Sequence, residues 1–363
     1  MLGFDFWDNG NQLLERTRSD KHLGKLGLAA TPSRVIHKEN KLQVRFYEKK
    51  PAPGVDLDKT RAPILIIPSL INRHYILDLL PDKSLVRFLR DRGFDVAMID
   101  WGMPGDEDRH VAFERFLDSY INRAIQALAR ETGCKKPVLL GYCLGGTMAA
   151  IHAAHRPENI AGLITLTAPI NFHNSGLLSA WCRSSHDPRL LIEAFGNAPW
   201  HVLQTSFQWL RPTMNAVRSL TMWRRSRDAD FIESSMALDI WVNDNVSFPG
   251  ECYQQMITSL YRDNALINGT LKLYNETVDF ERLTCPVLNV AAQDDHIVPL
   301  DATQALRTLA RSTDYAELLS PGGHIGAVIS KKASAVLWPQ IANWLESRFS
   351  TESKANRPAR AVH

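Results

Sequence analysis

The five cysteines of this chain, Cys134, Cys143, Cys182, Cys252 and Cys285, are odd in number, scattered, and never spaced as CxxC. That pattern argues against a disulfide framework and a structural zinc site, and fits a reducing compartment. No apolar stretch is long enough to cross a bilayer. The balance of 42 Lys and Arg against 39 Asp and Glu leaves only +3, and no basic face carries interleaved aromatics, so nucleic acid is not an expected partner. Met1-Leu2-Gly3-Phe4-Asp5 lacks the positive region and apolar core of a secretory signal, and a cytoplasmic location is expected. No internal repeat is found. What remains is a chain of 363 residues, 45% hydrophobic and 22% charged, able to bury a sizeable core. Its length admits one large α/β domain with an insertion or two smaller domains.

Residues 1–35 read as a helix-rich lead-in. Leu42-Gln43-Val44-Arg45-Phe46-Tyr47 alternates at period two, as a half-buried strand does. Short continuous apolar runs at 63–68, 95–100, 137–140 and 163–167 have the character of buried parallel strands. Helical patterns separate them at 83–92, 111–130 and 145–155. Strand alternating with helix predicts an α/β fold with a mostly parallel sheet covered on both faces. The rhythm stops at about 174. From there to 280 the chain carries Trp181, Trp200, Trp209, Trp223 and Trp241 among helical pieces, and is read as a cap inserted over the sheet's C-terminal edge, its tryptophans either excluding water and lining an apolar passage or simply packing the core. Strands at 286–291 and 315–319 and a helix at 331–348 resume the core. The organisation is thus a core of 36–173 and 281–349, a cap of 174–280, and a disordered tail of 350–363.

Gly141-Tyr142-Cys143-Leu144-Gly145-Gly146 lies between a buried strand and a small-residue helix. This is the nucleophile-elbow pattern G-x-S-x-G with cysteine for serine, and with it the α/β-hydrolase fold. The sharp turn leaves no room for side chains two positions either side of the nucleophile. It points the Leu144 N–H at a developing oxyanion and sets the thiol at a helix N-terminus. A second oxyanion donor is expected from the loop Pro68-Ser69-Leu70-Ile71-Asn72, at Leu70 or Ile71. The other four cysteines read as packing.

In this fold the triad runs nucleophile, acid, histidine along the chain. Gln293-Asp294-Asp295-His296 follows one late strand, and Gly322-Gly323-His324-Ile325-Gly326 follows the next, both at strand C-termini. His324 is the expected base, its flanking glycines leaving the ring free to swing toward Cys143. Asp295 is the expected acid. The alternative is that Asp294 orients His324 while Asp295 caps the next turn. No metal or cofactor is called for.

With these residues in view the sequence resembles the polyhydroxyalkanoate synthases. The match runs through Thr31-Pro32, Lys41-Leu42, Asn72-Arg73-His74-Tyr75-Ile76-Leu77-Asp78-Leu79, Asp100-Trp101-Gly102, the Cys143 elbow, Trp241-Val242-Asn243-Asp244, Phe248-Pro249-Gly250, Asp295-His296-Ile297-Val298-Pro299 and Gly323-His324-Ile325. The resemblance implies polymerisation of 3-hydroxyacyl-coenzyme A into polyester through acylated Cys143, with His324 as base and Asp295 behind it. It implies the catalytic subunit of the two-component type, short 3-hydroxyacyl groups, a companion subunit, a homo-oligomer, and the surface of polyester granules. Arg73, Arg211, Arg224 and Arg225 could meet coenzyme A phosphates, though solvated surface is the plainer reading of each. A cysteine hydrolase of the same fold shares the elbow and triad, and the blocks at 72–89 and 241–250 argue against it. A non-catalytic granule scaffold would not need Cys143, His324 and Asp295 together.

Overall fold

The computed structural model describes residues 27–56, 59–174, 176–184, 187–209, 221 and 224–352. Its centre is an eight-stranded sheet. The strands are β1 (Arg34–Glu39), β2 (Leu42–Tyr47), β3 (Ile64–Ile67), β4 (Val96–Asp100), β5 (Val138–Tyr142), β6 (Gly162–Leu166), β7 (Val287–Ala292) and β8 (Tyr315–Ser320). They lie in the order β1-β2-β4-β3-β5-β6-β7-β8. β3 to β8 pair in parallel, whereas β2 is antiparallel to β4 and β1 to β2.

Period-two alternation sends each strand's side chains to two separate cores. Leu65 and Ile67 of β3 join Leu139, Ile121, Ala124 and Leu128 of α2 (Ile121–Thr132), and Met148 and Ile151 of α3 (Leu144–His155). Ile64 and Ile66 join the opposite core, with Leu85 and Leu89 of α1 (Leu85–Asp91) and Ile341 and Leu345 of the closing helix Trp338–Phe349. Burial on both faces explains why these strands are near-continuous apolar runs.

Between β6 and β7 the cap contributes α4 (Leu177–Arg183), α5 (Pro188–Phe195), α6 (Trp200–Trp209), α7 (Ala229–Asn243) and α8 (Gly250–Met256). The segment after α8 is continuous with the core: Leu260, Leu266, Leu271, Val278 and Leu283 share the cluster of α2 and α3. Among the described residues no helix is long and apolar enough to cross a membrane.

Both chain ends differ from expectation. Most of the lead-in, 1–26, lies outside the described residues. The part described is not helical, and β1 begins at Arg34, where pairing with β2 extends the sheet edge. At the other end Ser350–Glu352 is a strand paired with Lys59–Arg61, so the chain is ordered past 350; residues 353–363 lie outside the description.

α3 also carries a buried titratable group. The His152 side chain is wholly buried, its Nδ1–H donating to Leu117 O at 3.0 Å. Burial holds the imidazole down to about 4 from 6.5, against the Leu117 bond and the opposing pull of Asp118. The unfolded chain therefore binds a proton between these values that the native state refuses. Stability from this site is complete above about pH 6.5 and falls by about 3 kcal/mol as pH drops toward 4. Urea midpoints measured from pH 7 to 4 should fall less steeply in His152→Gln than in the parent; parallel curves would refute the assignment.

Candidate active site

The elbow is built by contact as much as by conformation. Cys143 sits at φ 55°, ψ −130°, a positive-φ conformation that costs an L-residue energy and is held only by its surroundings. Its N–H donates to Leu166 O at 2.9 Å, tying the turn to β6. A Cβ on Gly141 would lie 2.4 Å from Gly145 O, and one on Gly145 would lie 2.1 Å from Ile67 O. The second close approach presses the start of α3 onto the end of β3. That brings the first turn of α3 beside the loop that follows β3.

His324 and Asp295 meet beyond β8 and β7. His324 Nδ1 donates to Asp295 Oδ2 at 2.7 Å. Asp295 Oδ1 accepts the N–H of Ile297 at 2.9 Å and of Val298 at 2.8 Å, so both carboxylate oxygens are satisfied and the group is fixed. Asp294, by contrast, is exposed and contributes only its backbone N–H, to Gly322 O at 2.9 Å. The other group close enough to act on the imidazole is Cys143. Burial by itself would depress His324. The negative charge of a Cys143 thiolate and the bonds to Asp295 and Cys143 outweigh burial and raise it from 6.5 to about 10. The structure thus brings Cys143, His324 and Asp295 together. The ring is not free to swing: it is buried, and its centroid lies 5.3 Å from that of Tyr142. Tyr142 was visible only as the variable position of the elbow motif.

A cavity of about 30 Å³ opens at Cys143, lined by Leu144 and Ile71 and roofed from Phe172, Leu178, Met256 and Tyr261. Of the two loop residues expected to donate, Ile71 lines it but gives its N–H to Ser69 Oγ at 3.2 Å, and Leu70 does not line it. In this conformation the Ile71 proton is engaged unless an oxyanion competes for it. Among the described residues no tryptophan lines the cavity. Trp181 and Trp209 are exposed and Trp241 is buried elsewhere, while Trp223 lies outside the described residues. Composition counts rings but carries no direction.

The arginine readings are also revised. Arg73 is neither surface nor available to a phosphate: it is buried against Asp244, 3.6 Å away. Arg225 is exposed and paired with Asp228, Arg224 is exposed, and Arg211 lies outside the described residues. Among the remaining cysteines Cys252 is buried, and burial pushes the Cys182 and Cys285 thiols up to about 12. Cys134 is not a packing residue; its thiol reaches Lys136 O near the surface at 3.5 Å.

A cysteine elbow with histidine and aspartate beyond the last two strands defines a protein of the α/β-hydrolase fold with sulfur at the nucleophile position. The family model for that fold matches residues 62–328, and the model described as the poly-beta-hydroxybutyrate polymerase (PhaC) N-terminus matches 2–89. The chain belongs to the family of poly(3-hydroxyalkanoate) polymerase PhaC subunits. It is 35% identical over 320 residues to the subunit of Allochromatium vinosum, covering 88% of this chain and 89% of that one. It is 34% identical over 352 residues to that of Haloferax mediterranei, covering 95% and 70%. Among solved structures it resembles a monoglyceride lipase of Saccharomyces cerevisiae, with TM-score 0.55 and 15% identity over 89% of this chain and 97% of that one. An esterase of Thermogutta terrifontis gives TM-score 0.51 and 15% identity over 88% and 99%. These two likenesses are of fold alone.

Proposed function

We propose that the chain polymerises 3-hydroxyacyl-coenzyme A, with short acyl groups, into polyester with release of coenzyme A, by way of an acylated Cys143. The observation that carries this reading is the Cys143–His324–Asp295 arrangement in a chain related to polymerase subunits along most of its length. His324 takes the proton of Cys143, and the thiolate attacks the thioester carbonyl. The Leu144 N–H and the 70–71 loop hold the oxyanion until it collapses and expels the coenzyme A thiolate, which recovers the proton. The 3-hydroxyl of a second unit then gives its proton to His324 and attacks the acyl-enzyme, forming an ester and freeing Cys143.

Sulfur suits this cycle. Exchange of one thioester for another is nearly isoenergetic and leaves the acyl group reactive, and a thiolate is nucleophilic near neutral pH. A cavity of about 30 Å³ has room for about two waters and none for an acyl-coenzyme A. Entry therefore requires displacement of the roof carried by α4, α8 and Tyr261. A closed roof also keeps water from the acyl-enzyme, which separates a polymerase from a hydrolase.

Purified chain given 3-hydroxybutyryl-coenzyme A, with and without a candidate companion subunit, should yield insoluble polyester and one free coenzyme A per unit added. Free 3-hydroxybutyrate as the only acyl product would establish the hydrolase instead. The companion subunit, a homo-oligomeric state and attachment to polyester granules in the cytoplasm belong to the same proposal. They draw their support from the relatives being named as subunits.

A further inference from the structure

The loop after β3 is held at both ends by side chains from elsewhere in the chain. At its start Trp101 Nε1 donates to Pro68 O at 2.9 Å. At its far end the contacts come from residues 241–245, the last turn of α7 and the link toward α8. Trp241 Nε1 donates to Arg73 O at 2.8 Å. Tyr75 Oη donates to Asp244 Oδ2 at 2.9 Å, and Arg73 Nε lies 3.6 Å from the same oxygen. Asn72 and Asn245 form an antiparallel bridge, and Asn72 Nδ2 donates to Asn245 Oδ1. Asn245 Nδ2 in turn donates to Val242 O at 2.8 Å.

Arg73, Tyr75, Trp241, Asp244 and Asn245 are all buried. Water is not at hand to replace a lost partner, so the network holds its geometry as a unit. Its attachment points on the loop, Asn72 and Arg73, directly follow Leu70 and Ile71. An oxyanion donor displaced by about 1 Å loses much of its effect on the transition state. A cap could have been joined to its core anywhere along this interface. Here the join falls on the backbone next to the proposed donors.

We propose that the Trp241–Asn245 segment of the cap positions the oxyanion loop, so that Asp244 and Asn245 set how fast Cys143 is acylated without touching the reacting atoms. The inference rests on the reading that Cys143 is acylated through an oxyanion held by this loop. Cap and catalytic loop are then mechanically linked, and a shift of the cap's 241–245 segment alters the reactivity of the site as well as access to it.

Two probes of the same sulfur separate positioning from general damage. p-Nitrophenyl acetate acylates Cys143 through a tetrahedral oxyanion. Iodoacetamide alkylates it by displacing iodide at saturated carbon, with no oxyanion formed. In the full chain, Asn245→Ala should slow the acylation burst by roughly 10- to 100-fold and leave alkylation within about twofold. Asn72→Ala, across the same contact, should do likewise and stands in if the first variant does not fold. The double variant should be no slower than the slower single one, because the Asn72–Asn245 contact is already lost in each single variant. Equal losses in both reactions, or an unchanged burst, would overturn the proposal. A parent chain without any burst overturns it together with the acyl-enzyme. A parent with a burst but no polyester overturns only the polymerase reading.

Discussion

Cys143→Ala should form no acyl-enzyme and no polyester, a loss of at least about ten-thousand-fold, with the fold intact. The residue's burden is chemical: its thiol faces the cavity and no other cysteine is placed to substitute for it. Cys143→Ser is the informative partner. Its oxygen keeps the elbow's shape, but a serine needs its base in the transition state where a thiolate does not, and the ester it forms is a poorer acyl donor than a thioester. Serine should therefore retain slow acylation by activated esters and lose chain growth. Mass spectrometry of the intact protein reads the acyl adduct, and turbidity reads polymer. Polyester from the alanine variant would end the assignment.

Asp295→Asn should cost acyl transfer about ten-thousand-fold, the loss seen when a triad carboxylate becomes an amide, while Asp294→Asn should stay within about twofold. The contrast follows from geometry. An asparagine at 295 can still accept the Ile297 and Val298 N–H groups through its oxygen, so the turn survives. Its amide then faces His324 Nδ1, donor against donor, and the tautomer that leaves Nε2 able to take a proton is no longer favoured. The charge that helps raise His324 to about 10 also disappears, so the imidazolium should lose its proton at lower pH in this variant. Asp294 offers only its backbone N–H to Gly322 O, which substitution leaves in place. Steady-state rates for both variants, with an NMR titration of His324, would test this. Equal losses at 294 and 295, or a loss confined to 294, would reverse the acid's identity.

Much of the site was legible because its parts are local. A strand, a glycine-bounded turn and a small-residue helix lie within a few residues of one another, and crowding at Gly141 and Gly145 is a consequence of that short-range geometry. The sheet was legible for the same kind of reason: β3, β4 and β5 are buried on both faces and so are written as apolar runs. The edge strand β1 was missed because its burial is incomplete and its pattern consequently weak.

Other features depended on which distant segments meet. Asp294 and Asp295 differ by one position in the chain but by burial and by a bond to His324 in space. Arg73 reads as a surface cation until the fold sets Asp244 against it. Ile71's N–H was a free donor on paper, and Ser69 Oγ takes it in the folded loop. The cap's tryptophans could be counted from composition, but the cavity roof comes from Phe172, Leu178, Met256 and Tyr261. The sequence by itself thus singled out Cys143, the turn that presents it and the parallel sheet beneath. These follow from sterics and burial over neighbouring residues. Only the tertiary structure decided which aspartate meets His324, the lining of the cavity and the hold of Trp241–Asn245 on the loop after β3. Each is a contact between residues far apart in the chain, whose partners are chosen by the packing of the whole core.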